Sequence, residues 1–224
     1  MSGEPPPQGR EMAMPVELTL KASERLRSFV ELVGRWGAVF ILPLVFITMC
    51  DVFLRKIGGM QVFMVETFGR AFESTVIQEM EWHFHTALFT LVLGYGVVRN
   101  RHVRVDLIRE KLPFRKQAWI EFLGLTLFMI PYCLIVGYFA LGFAWDSWLV
   151  NEKSASTVGL SYRWIIKSVL VFGLFTALLS GVAVWLQSVL VLFGPRDLRF
   201  KLMTLEWPEE TAARGGRLST GPGA

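Results

Sequence analysis

The sequence predicts an all-α integral membrane protein, with four transmembrane helices plus short amphipathic interfacial helices. Three observations carry this. Hydrophobic residues make up 53% of the chain and charged ones 19%, and the charges gather at the margins of long apolar runs. There are four such runs, at about 35–54, 82–98, 117–148 and 164–193. Lys and Arg are shared unevenly among the connections, which orients a membrane protein with its richer segments in the cytoplasm. The net charge of +4 therefore reads as orientation and contact with phospholipid headgroups. No soluble segment carries a basic stripe with interleaved aromatics, so nucleic acid is excluded as a partner.

Residues 1–17 are Pro- and Gly-rich, lack the apolar core of a cleavable signal, and read as a disordered lead-in. Between Leu18 and Leu32, Leu18, Leu20, Leu26, Phe29 and Val30 alternate with Lys21, Glu24, Arg25, Arg27 and Glu31. That pattern predicts an amphipathic helix lying at the membrane surface before the chain turns in. The first span ends at Arg55-Lys56. Pro43 lies within it and should kink the helix, and Asp51 sits one helical turn from Arg55.

Gly58-Gly59 breaks the chain, and 57–81 predicts a second surface helix too polar to cross. The 82–98 run is short and should stand nearly upright, with Gly94 and Gly96 admitting a close neighbour. In the 99–116 connection, Val103 to Leu112 reads as a short interfacial helix, interrupted by Pro113.

In the third run, Trp119 at one end and Trp145 with Trp148 at the other mark two interfaces. Their separation is roughly 39 Å at helical rise. A core of about 30 Å then demands that the helix tilt, bend at Pro131 or project. After the polar loop 149–163, the fourth run stops at Gly194-Pro195. Its Gly173, Ala177 and Gly181 recur every four residues, beside Thr176 and Ser180, as a small-residue packing ridge. Domain organisation is thus a four-helix membrane domain over 18–195 followed by a cytoplasmic, largely disordered tail over 196–224.

Orientation follows from the count of Lys and Arg. The flank through Arg35 holds five, the 54–81 connection three, the 99–116 connection seven, the third loop with Lys167 three, and the tail five. Both termini and the 99–116 connection belong in the cytoplasm.

Cys50 and Cys133 lie inside apolar runs with no neighbour at metal-ligand spacing, and read as small hydrophobes. His83 and His85, two apart, fall on different sides of a helix, whereas Glu81 and His85 share a face. A haem-binding membrane electron-transfer subunit using His83 or His85 is the alternative reading. It needs a ligand converging from a facing helix or a second subunit, since His102 sits at the opposite end of the same run. Glu79 and Glu81, beside Trp82, read either as solvated interfacial carboxylates or as one half of an ion pair with a partner. No nucleophile–His–acid set, phosphate-binding loop or zincin motif occurs, so neither an enzyme nor a cofactor is expected. A lone channel would need a polar lumen-lining stripe, which the runs lack. In Arg101-His102-Val103-Arg104-Val105-Asp106 the cations can bind phosphates, while Asp106 neutralises Arg104 or caps the next helix.

With these residues in view the chain resembles the small permease subunit of tripartite ATP-independent periplasmic (TRAP) transporters, the DctQ family. The resemblance rests on Glu81-Trp82 at a span entrance, the apolar helix with Tyr95, the stretch His102 to Asp106, and Asp51-Val52-Phe53-Leu54-Arg55. It covers roughly 30–195; the long lead-in and the extended 57–80 connection depart from the pattern. It implies a non-catalytic scaffold beside a large TRAP membrane subunit. That subunit carries the substrate and sodium sites and moves as an elevator, while a periplasmic substrate-binding protein delivers an organic acid. The residues expected at the partner and lipid interface are Glu81, Trp82, Arg101, His102, Arg104, Asp106, Gly173, Ala177 and Gly181.

Overall fold

The computed structural model describes residues 14–101, 112–195 and 198–208, whose regular secondary structure is helical with no strand among them. In chain order the helices are α1 (Met14–Ala38), α2 (Ile41–Lys56), α3 (Met60–Phe68), α4 (Ser74–Val98), α5 (Phe114–Gly124), α6 (Ile130–Leu149) and α7 (Trp164–Phe193).

The helix predicted to kink at Pro43 breaks between α1 and α2. Proline offers no N–H to the carbonyl four residues back and its ring crowds that carbonyl, which here belongs to Val39. The Val39 carbonyl instead accepts from the Leu42 N–H at 3.0 Å, a tighter turn. α1 itself does not stand apart at a surface as its amphipathic pattern suggested. Its Ser23 hydroxyl donates to the Ala183 carbonyl of α7 at 3.0 Å, and Val30 packs with Val98, Ala183 and Val184. An amphipathic stripe reports that one face is covered, and sister helices cover this one.

The 57–81 connection divides. Gly59 and Gly69, at φ 79° and 89°, bracket α3 in the left-handed region that glycine tolerates. α4 then begins at Ser74 rather than at Trp82. The third run is one long rod, α5 and α6, joined by a π-helical turn over Leu125–Met129 in which the Ile130 N–H reaches the Leu125 carbonyl. Pro131 follows directly, so the register shift falls where proline removes a donor. α7 spans the fourth run as read.

Among the described residues, three stretches are long and apolar enough to cross a membrane: Pro15–Lys56, Phe114–Leu149 and Trp164–Phe193. α4 is not among them, because Glu79, Glu81, His83 and His85 dilute its first half. It nonetheless lies at the centre of the bundle. α4 and α7 pack along each other in parallel, α1 and α2 run antiparallel to α4 on one side, and α5 and α6 lie against α7 on the other.

Residues 198–208, expected to open a disordered tail, fold back on the bundle. Gln187 of α7 accepts from the Met203 N–H at 2.9 Å and donates to the Lys201 carbonyl at 3.3 Å. Leu205 packs with Ala118 and Leu192, and the Trp207 ring lies 5.1 Å from Phe114.

Candidate functional site

At the end where α4 begins, Glu79 is buried, 8% exposed. Its helix delivers it to the loop between α6 and α7. One carboxylate oxygen accepts from the Ser154 hydroxyl, the other from the Leu160 N–H at 2.5 Å, and Arg163 approaches to 3.7 Å. Gly159 is small because a Cβ there would meet both the Ser154 side chain and Glu79. Burial alone would raise the Glu79 pKa. The Ser154 and Leu160 donors with the Arg163 and His83 charges outweigh it and hold the carboxyl below the usual carboxylate range.

Glu152 continues the cluster toward Lys167, whose ammonium keeps that carboxyl low and also covers the Phe143 ring at 3.5 Å. Glu79 is therefore neither solvated nor waiting for another subunit. Its partners lie 75 or more residues on in the same chain, and sequence spacing offers no sign of such a pairing.

Trp82 flanks this clamp, with the Arg163 guanidinium 5.4 Å from its ring centroid. Glu81 points the other way, toward α2, where Thr48, Asp51 and Arg55 surround it. Asp51 is itself paired with Arg55, as expected from their spacing. His83 shares a hydrogen bond with the Glu79 carbonyl through Nδ1 at 2.5 Å, whereas His85 is exposed. Among the described residues no cluster of three His, Cys, Asp or Glu is placed to hold a metal.

At the opposite end, Glu31 of α1 accepts from Arg27 at 2.8 Å and from Arg99 at 2.7 Å, and Arg99 also lies over Tyr95 at 5.8 Å. The pairing joins Glu31 of α1 to the residue that follows α4, and sequence reasoning missed it. Arg101 is exposed, with its N–H on the Gly96 carbonyl at 2.9 Å. His102, Arg104 and Asp106 lie outside the described residues.

The small-residue ridge faces inward. A Cβ on Gly173 would stand 2.6 Å from the Thr90 Cβ of α4, Ala177 is 1% exposed, and Gly181 meets Met129 of the π-helical turn. Gly94, predicted to admit a neighbour, receives Thr176. Of the surfaces open to the ridge (sister helices, a larger subunit, lipid), sister helices fill it. The Thr90, Thr176, Ser180 and Ser188 hydroxyls bond to carbonyls of their own helices, so these four need no water.

The outward faces are apolar instead. On α2, Leu42, Phe46 and Phe53 are exposed; on α6, Phe128 of the preceding turn, Tyr138 and Phe139 are 73%, 74% and 69% exposed. In water such a surface would aggregate; in lipid or against another membrane helix it is covered.

A family model for the DctQ component of tripartite ATP-independent periplasmic transporters matches residues 57–190. No curated protein and no solved structure matches the chain.

Proposed function

The chain belongs to the DctQ family, the small membrane components of tripartite ATP-independent periplasmic transporters, and from that premise we propose a non-catalytic scaffold role. In this reading it crosses the bacterial inner membrane four times, with both termini and the 99–116 connection in the cytoplasm. It holds the large elevator-type subunit while sodium drives uptake of an organic acid delivered by the periplasmic binding protein.

The fourth crossing is α4 from Trp82 onward, with Glu79 at its mouth outside the span. Its support is mechanical: α4 runs beside α7, a helix apolar and long enough to span, and touches it at Thr90–Gly173 and again at Gly94–Thr176. A helix locked along a spanning helix at successive turns traverses the same slab. Its polar first half is tolerable because Glu79 and Trp82 are engaged by the α6–α7 loop.

One observation carries the scaffold role. The chain's polar groups at both ends hold its own helices together, while its long outward faces on α2 and α6 are apolar. Such a body presents a rigid, greasy flank to a larger membrane partner and to phospholipid. Glu81, Trp82 and Arg101 sit at the rims of that flank; Gly173, Ala177 and Gly181 set its internal spacing.

Reconstitution tests this reading. Proteoliposomes carrying the chain alone, the large subunit alone, or both would be given a sodium gradient, the binding protein and a panel of radiolabelled organic acids. Uptake is expected only with both membrane subunits. Accumulation by the chain alone would show that it transports by itself.

A further inference from the structure

A cleft of about 1000 Å³ opens at the Arg99 end of the bundle, between the end of α4 and the folded-back segment 198–208. Among the described residues its lining carries Arg99, Arg101, Arg199 and Lys201 against one carboxylate, Glu206. Glu31 lies behind Arg99 and balances that guanidinium, yet the Arg99 Nε remains a buried donor with no partner. Arg101 and Lys201, both exposed, add two further positive groups to the lining. Phe200, Leu202, Met203 and Leu205 supply its apolar lining, and the Arg199 guanidinium lies 4.7 Å from the Trp207 ring centroid.

This combination has a chemical complement. Guanidinium forks suit phosphate oxygens, and apolar residues in the same lining suit the glycerol and first methylenes of a lipid. We propose that this cleft binds the phosphodiester headgroup of an anionic phospholipid. The site rests on the membrane reading above and makes one part of it specific: the lipid is selected for negative charge and held at one place. The scaffold's folded-back segment then becomes part of a lipid clamp. Gln187 sets its register by gripping the backbone at Lys201 and Met203, and the two cations of that segment share the cleft lining with Arg99 and Arg101.

Lipid retention by the purified full chain tests the site. The protein in neutral detergent would be exposed to equimolar phosphatidylglycerol and phosphatidylcholine, and bound lipid counted by native mass spectrometry. Phosphatidylglycerol should be retained in preference, less so as salt rises. Arg101→Gln with Lys201→Gln, which leaves the Trp207 stacking and the Gln187 contacts in place, should weaken retention roughly thirtyfold, taking about five- to sixfold for each cation near a membrane surface. Lys56→Gln with Arg70→Gln, at the other end of the bundle, should leave it unchanged.

Equal retention of the two lipids, or an unaffected double variant, would overturn the proposal. Displacement of phosphatidylglycerol by glycerol 3-phosphate at similar concentration would identify a soluble phosphate ester as the occupant and overturn the lipid as its source. The measurement needs no companion subunit, so its failure leaves the transport reading untouched, and the reverse also holds.

Discussion

Gly173 leaves almost no room at the crossing of α4 and α7. A Cβ there would meet the Thr90 carbonyl oxygen at 2.7 Å, and one on Gly94 the Thr176 carbonyl oxygen at 2.8 Å. Both obstacles are backbone and cannot swing aside. Gly173→Leu should therefore force the helices apart at a cost of about 1–3 kcal/mol, seen as a lower thermal midpoint in detergent. Gly137→Ala and Gly142→Ala, which face open space, should match or slightly exceed the parent, because alanine favours helix. Equal midpoints for all three variants would deny the close crossing.

Glu79 supplies a second residue-scale prediction. Its folded pKa lies below the ordinary 4.5, so the carboxylate's contribution is complete above that value and is lost as pH falls through the folded pKa. Glu79→Gln keeps the shape but loses the charge facing Arg163. It should lower stability at neutral pH by about 1–3 kcal/mol and flatten the acid side of the stability profile. An unchanged acid-induced loss would place that loss on other groups.

Single elements were legible in the sequence where local chemistry governs them. α7 starts at Trp164 and ends before Gly194-Pro195, and Pro43 and Pro131 mark a helix break and a π-helical turn, because a missing N–H acts on the carbonyl four residues back wherever the chain goes. Asp51–Arg55 and the Gly173 ridge were legible for the same reason, being spacings on one helix. What covers a face was not legible. The stripe on α1 fits a lipid surface or a sister helix equally well, and the structure chooses α4 and α7. The Glu79 clamp and the Glu31–Arg99 pair were hidden because each joins residues distant in sequence.

Gln187 was a readable sign that went unused: a lone amide in an apolar run needs partners, and it finds them at Lys201 and Met203. Gln187→Leu should release the 198–208 segment, read as faster limited proteolysis there with the α7 core still protected. Unaltered proteolysis would mean that Trp207 and Leu205 hold the segment without it.

For the whole molecule, hydropathy and packing speak differently about α4. Among the described residues, composition alone passes three stretches as membrane-crossing, since a helix with two glutamates and two histidines in its first half looks too polar. Packing puts that same helix beside α7 at the centre of the bundle, where its acidic groups meet a loop and α2 rather than lipid. The scaffold reading depends on α4 crossing, for only then do α2 and α6 turn their apolar faces outward from a common frame.

Side-specific thiol labelling decides this most directly. In a background with Cys50→Ala and Cys133→Ala, single cysteines at Ile57, Asn100 and Ser156 would be probed in intact spheroplasts with a membrane-impermeant maleimide. With α4 crossing, Ile57→Cys and Ser156→Cys label from outside and Asn100→Cys labels only after permeabilisation. Ile57→Cys and Asn100→Cys reacting on one side, with Ser156→Cys on the other, would mean three crossings and contradict the account.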